Sequence, residues 1–382
     1  MKKILAMLLA LVMVLSLAAC GGTEADPTEA PAANPTEAPA AEGDTPATEA
    51  PAVETAAITK VALVTDVGTI DDESFNQACW EGVVAWCTEN NVEYTYYQPK
   101  EDSTDARVLS IAQAISEGYN TIVMPGFLFN ETVPIVQETY PDAYFIAVDV
   151  AAADVNPTAN TACITFAEEQ AGYLAGYAAV KDGYTKLGYL GGQAVPAVIR
   201  YGYGFIQGAD AAAAELGVNI EINYTYGGQF FGSPEITAKM EGWYQAGTEV
   251  VFACGGGIYT SALEAAEKNN GKVIGVDSDQ GKISPLIITS AMKLLKDSVV
   301  SALDGLNNGE WANFGGKQTV YDLTMGDVVG LPTAEESWRL TTFTVEEYQD
   351  VKVKIADGTI VISNDIEALP ALSEYTTVNE IA

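Results

Sequence analysis

Short runs of β-branched and apolar residues alternate with amphipathic stretches along this chain, and the alternation occurs twice, with a break between. From residue 59 the order is KVALVTDV, SFNQACWEGVVAWCTENN, VEYTYYQ, ARVLSIAQAISEG, TIVMPG, a helical stretch over 131–139, and YFIAVDV. Strands that alternate with helices demand crossover connections and therefore parallel sheets. After the break, a helix over 168–181 leads into KLGYLGG, a long helical segment, NIEINYTY, and helices over 236–246 and 261–269 that flank EVVFAC; KVIGVDSD closes the second series. Two similar α/β halves are expected.

Polar residues stand where several of these strands should end: Asp66 after VALVT, Asp149 after YFIAV, residues 255–257 (a triple glycine) after VVFAC, and Asp277 after VIGV. In open parallel sheets, ligands bind in the crevice beyond the carboxyl ends of the strands. A single aspartate there is more often a cap or a turn residue. Three carboxylates and a glycine turn at matching edges of two halves instead describe a cleft lined by hydrogen-bond acceptors.

The amino terminus carries Met1-Lys2-Lys3, an apolar run over 4–17, and Ala18-Ala19-Cys20, the layout of a secretory signal over 1–19. Leu17-Ala18-Ala19-Cys20 resembles the lipobox of bacterial lipoproteins, in which the cysteine after the cut is acylated, so Cys20 is the expected lipidation site on the extracytoplasmic face of the cell membrane. Residues 21–57 form a Pro/Thr/Glu/Ala tract with eight acidic residues and no basic one. Such a tract cannot repay the entropy of ordering, and it reads as a disordered acidic tether with Cys20 at its head. Extended at roughly 3 Å per residue, it would reach about 100 Å.

The formal net charge is −34, which argues against a nucleic-acid partner because no positive field exists to release counterions. There is no histidine, which removes Ser-His-Asp and Cys-His catalysis and histidine metal sites. Gly202-x-Gly204 sits inside a helical pattern without a third glycine, so it is no dinucleotide loop. Neither a cofactor nor a metal is expected. Ser290-Ala291-Met292-Lys293 fits a loose S-x-x-K pattern, but without a convincing companion motif it does not make an enzyme. Beyond Cys20, the cysteines Cys79, Cys87, Cys163 and Cys254 are widely spaced and read as small buried apolar residues.

The segment VALVTDVGTIDDESFNQACWEGV, residues 61–83, resembles the signature of the basic membrane protein family of substrate-binding lipoproteins, which includes purine nucleoside receptors. Further landmarks follow in order: MPGF at 124–127, FIAVD at 145–149, EEQAGYLAGYAA at 168–179, FFGSP at 230–234, GVDSDQ at 275–280, TSAMK at 289–293 and DGTIVIS at 357–363. The resemblance implies a type I periplasmic-binding-protein fold, two doubly wound parallel-sheet lobes joined by a multi-strand hinge. It places 58–165 with roughly 278–315 in an N-terminal lobe and 166–277 with roughly 316–382 in a C-terminal lobe. It further implies delivery of a small molecule, a purine nucleoside by preference, to an ABC permease.

By the same resemblance, Phe75 and Phe231 clamp a base, with Phe230 as the alternative second ring. Aromatic faces suit a purine because it offers two π-faces and little charge. Asn76 carries donors and an acceptor suited to a base edge. Asp66 and Asp149 accept from base or ribose groups, the backbone of Gly256 and Gly257 approaches the sugar, and Asp277 with Lys293 grips ribose hydroxyls. Two other readings keep the fold: a receptor for a sugar or an autoinducer-like solute, and a lipoprotein that senses or adheres and does not transport.

Overall fold

The computed structural model describes residues 58–380; the signal segment, Cys20 and the acidic tract lie outside the described residues. The first half builds a parallel sheet from β1 (Lys60–Val64), β2 (Glu93–Tyr97), β3 (Thr121–Pro125), β4 (Tyr144–Val148) and β5 (Thr161–Phe166). The second builds another from β6 (Lys186–Gly191), β7 (Ile220–Tyr226), β8 (Val250–Cys254), β9 (Lys272–Asp277) and β10 (Ile287–Lys293). Later strands β11 (Lys317–Tyr321), β12 (Val329–Gly330) and β13 (Thr376–Glu380) finish the edges. The spatial orders are β11-β5-β4-β3-β1-β2 and β12-β10-β9-β8-β6-β7-β13. The two halves thus share one winding, with a switch point between β1 and β3 in one lobe and between β6 and β8 in the other.

Central strands such as VVFAC and TIVMP are buried along their whole length, as strands covered by helices on both faces must be. Pairing is parallel throughout except at the edge, where the short β12 runs antiparallel to β10. The expected two-lobed α/β architecture is what forms. Its lobe boundaries differ from the expectation at two strands. Strand β10, assigned by sequence to the N-terminal lobe, pairs with β9 of the C-terminal lobe, whereas β11, assigned to the C-terminal lobe, pairs with β5 of the N-terminal lobe. The chain crosses between lobes after β5, after β10 and after β11. The helix Leu295–Asn307 that follows β10 packs on the helix Phe75–Asn90 of the first lobe, where Trp86 Nε1 donates to Asp304 Oδ1 at 2.7 Å.

One helix pair fixes the geometry near the crossings. The helices Glu168–Lys181 and Pro196–Leu216 meet backbone to backbone: a Cβ on Gly172 would lie 2.2 Å from the Tyr201 carbonyl oxygen, and one on Gly204 would lie 2.2 Å from that of Glu169. Only glycine permits this approach. As a result, Glu168 and Arg200, at the starts of these helices, come into contact. The cysteines Cys79, Cys87, Cys163 and Cys254 are buried and free, as their spacing implied.

Candidate functional site

The two switch points face each other across a cleft with about 620 Å³ of empty space counted out to its open mouth. Asp66, Phe75, Asn76, Asp149, Gly256, Asp277 and Lys293 all line it, so the structure brings together nearly every residue selected from the sequence.

On the N-terminal side the chain leaves β1 through Asp66, whose Oδ1 accepts from the backbone N–H groups of Val67 and Gly68 at 2.6 and 2.8 Å and from Asn76 Nδ2 at 3.1 Å. One carboxylate oxygen therefore does turn work. Burial raises the pKa of this carboxyl, and the bonds from Gly68 and Asn76 oppose the rise. The next acid, Asp72, closes the start of the helix Phe75–Asn90: its Oδ1 accepts from Ser74 N and Gln77 N, and its Oδ2 from Asn76 N. That cap aims Phe75 and Asn76 into the cleft from the first turn of the helix. The Asn76 Oδ1 is buried with no partner, an open acceptor on a side chain whose amide nitrogen is already held.

Both aspartates at the ends of fourth strands, Asp149 and Asp277, adopt the left-handed region at φ 60 and 64. Non-glycine residues rarely do so, and such backbone is concentrated at binding and catalytic sites. Lys293, the last residue of β10, reaches between them. Its Nζ donates to Asp149 Oδ2 at 2.5 Å and to Glu168 Oε1 at 3.2 Å, and stands 3.9 Å from Asp277 Oδ1. Glu168 Oε2 in turn accepts from Arg200 Nε at 2.6 Å. The sequence paired Lys293 with Asp277; the structure gives its hydrogen bonds to Asp149 and Glu168, because β10 ends at the crossing where these two converge. Residues 287–293 are all strand, and the lysine side chain at their end is only 1% exposed.

Burial raises the Asp277 pKa to about 6, against the pull of Lys293 and of the Ser74 hydroxyl, whose Oγ donates to Asp277 Oδ2 at 2.7 Å. Asp149 is also raised, by burial first and against Lys293. Burial works the same way on Glu168, but Arg200 and Lys293 outweigh it and hold that carboxyl below its ordinary value. Burial would lower the Lys293 pKa, yet Asp149, Glu168 and Asp277 together raise it, so the ammonium stays charged. Its Nζ lies 4.8 Å from the Phe75 ring centroid, which ties the charge to the aromatic wall.

The C-terminal wall is more apolar, with Val195, Val198, Tyr201, Phe230, Cys254, Gly255 and Gly256. Here two sequence choices are corrected. Phe231 is 56% exposed and forms an isolated backbone bridge with Gly257, while Phe230 turns inward against Gly192 and Gly255. Gly257 likewise gives way to Gly255 and Gly256 at the cleft. The lobes also touch directly: besides the bond from Ser74 to Asp277, Gln280 Nε2 donates to the Glu73 carbonyl at 3.0 Å.

Sequence reasoning missed Asp72, Ser74, Glu168, Tyr201 and Gln280. Ser74 lay inside the recognised signature and Glu168 opened the EEQAGYLAGYAA landmark, but two acids in a first helical turn read as ordinary dipole partners. Among the described residues, no group of acids and cysteines is arranged to hold a metal ion, and no helix is long and apolar enough to cross a membrane.

Residues 58–365 match the family described as ABC transporter substrate-binding protein PnrA-like, and the chain belongs to that family of solute-binding proteins. It is 30% identical over 327 residues to the ABC transporter nucleoside-binding protein BmpA of Lactococcus lactis, covering 79% of this chain and 88% of that one. It is 28% identical to basic membrane protein B of Borreliella burgdorferi, over 72% of this chain and 82% of that protein. Among solved structures, an ABC transporter solute-binding protein from Aeropyrum pernix superposes with a TM-score of 0.71 at 23% identity, covering 80% of this chain and 93% of that one. A solute-binding protein from Conexibacter woesei gives 0.64 at 22% identity, with 80% and 99% covered.

Proposed function

We propose that this protein is a lipid-anchored receptor that captures a purine nucleoside between its lobes and hands it to an ABC permease. The observation that carries the reading is the grouping, in one cleft, of aromatic rings from opposite lobes, Phe75 and Phe230, with the unpartnered Asn76 Oδ1 and the carboxylates Asp149 and Asp277 beside Lys293. Flat rings stack on a base at roughly 1 to 3 kcal/mol each. Asn76 and Asp66 then read its polar edge, and the carboxylates and the ammonium accept from and donate to ribose hydroxyls. The glycine turn at Gly255 and Gly256 lets backbone approach the sugar. The name of the Lactococcus lactis relative supports the ligand class, and the Leu17-Ala18-Ala19-Cys20 motif supports acylation at Cys20 and an extracytoplasmic place on the membrane.

Closure around the ligand presents a surface for a permease to recognise, as a shift of population toward the closed form. The receptor does no chemistry.

Thermal shift against purine nucleosides, free bases, pentoses and hexoses tests the reading, after carried-over ligand is removed by unfolding and refolding. Ligand that binds the native state alone raises the melting temperature by mass action. A rise with purine nucleosides and none with sugars is the expected outcome. A rise with a pentose or hexose alone would replace the nucleoside by a sugar in the same cleft.

A further inference from the structure

We propose that the Tyr201 hydroxyl is a ligand-reading hydrogen-bond donor of the cleft, and that it engages a sugar hydroxyl oxygen of the bound molecule; this rests on the nucleoside reading above. Tyr201 stands on the helix Pro196–Leu216 and lines the cleft from the C-terminal side. The residue is 1% exposed, and its hydroxyl is buried with no hydrogen-bond partner. A buried phenol left unpaired costs stability, and native proteins rarely tolerate one without a use.

Its surroundings say what it can pair with. The Tyr201 ring centroid is 5.6 Å from Lys293 Nζ, and the hydroxyl belongs to the charge cluster of Asp277, Glu168 and Asp149. Burial first, and then Asp277, Glu168, Cys254 and Asp149, push its pKa far up, so the proton stays on and the group donates. Across the cleft Asp149 Oδ1, like Asn76 Oδ1, is a buried acceptor without a donor. An open donor and an open acceptor in one cavity call for a group that both accepts and donates. An alcohol does both, whereas a carboxylate or phosphate ligand would leave Asp149 unpaired and facing like charge.

Tyr201 is anchored through its main chain. Its backbone carbonyl is the atom against which Gly172 packs, which fixes the position of Tyr201 relative to Glu168 and hence to Lys293. The position is held by main chain, and the hydroxyl itself holds nothing.

The test is Tyr201→Phe in the full chain, titrated calorimetrically with adenosine, its 2′-, 3′- and 5′-deoxy analogues, and adenine, alongside melting temperatures without ligand. Removing the hydroxyl should weaken adenosine roughly threefold to tenfold, the size of one hydrogen bond. It should leave adenine, and the deoxy analogue that lacks the engaged hydroxyl, at wild-type affinity. The unliganded melting temperature should stay the same or rise, since an unpaired buried group has been deleted. Unchanged adenosine affinity, equal losses for adenosine and adenine, or a lower unliganded melting temperature with unchanged affinity would each overturn the assignment. If the wild type binds a pentose or hexose but no nucleoside, the nucleoside reading falls alone, and the same comparison with that sugar and its deoxy analogues decides Tyr201. A wild type that binds none of these ligands overturns both.

Discussion

Asp149 and Asp277 occupy matching places in the two lobes, at the ends of β4 and β9, and both turn into the cleft through left-handed backbone. Their partners differ. Asp149 bonds to a buried cation that is also shared with Glu168, whereas Asp277 is bonded by the neutral hydroxyl of Ser74 and stands 3.9 Å from the same ammonium. One winding of the chain thus delivers two equivalent carboxylates, and residues distant in sequence give them different electrostatic settings. The first is part of a charge chain running from Arg200 through Glu168 to Lys293 at the crossings between lobes; the second is part of a contact that joins the lobes directly.

The largest effect should come from removing the shared cation. Lys293→Met leaves Asp149 and Glu168 buried without their ammonium, and breaking such a network costs about 3 to 5 kcal/mol, read by urea denaturation. Wild-type stability in that variant would show that the carboxyls take up protons instead. Next, Asp149→Asn and Asp277→Asn should separate the two lobes. The first removes a charged hydrogen bond from a buried lysine and should lower stability by about 1.5 to 3 kcal/mol. The second removes a carboxylate whose ionisation burial disfavours, and stability should change by less than about 1 kcal/mol. Equal losses in denaturation would erase the distinction.

A pH series sharpens it further. The Asp277 pKa is raised from the ordinary 3.8 to about 6, so its contribution to the stability of the empty protein is fully present below the ordinary value and is lost as pH rises through about 6. Ligand hydroxyls that donate to the carboxylate need the opposite state, so nucleoside affinity should fall as pH drops from 7 to 5. Calorimetric titration at both pH values, with Asp277→Asn flattening the Asp277 part of the change, is the check. Ser74→Ala, which deletes one neutral donor to Asp277, should cost about 0.5 to 1.5 kcal/mol. It should also push the Asp277 pKa higher and leave Asp149 in place, as carboxyl resonances in an NMR titration would report.

Much of this architecture is local in origin. The alternation of apolar runs and amphipathic helices is a property of neighbouring residues, so the two α/β halves, the strand ends at Asp66, Asp149 and Asp277, and the start of the helix at Phe75 could be placed from the sequence alone. The lobe assignment of β10 and β11 could not, because either strand could complete either sheet, and only the crossings settle which edge each one reaches. The choice between Phe230 and Phe231 failed for a related reason. The two rings lie in an irregular segment after β7, where no period of two or of 3.6 orients side chains, and the backbone bridge from Phe231 to Gly257 decides which ring turns inward.

The same division holds for the charges. Strand position singled out the aspartates as candidate groups, and the family resemblance added Lys293. Their pairing was decided by tertiary structure: the bond from Lys293 to Asp149 joins residues 144 positions apart, and Glu168 enters only because two glycine-lined helices meet without side chains between them. Local sequence determines which groups stand at the ends of strands, because periodicity and turn chemistry act over a few residues. Which of those groups share a proton, a cation or a ligand depends on distances across the cleft, and these exist only once the lobes have packed.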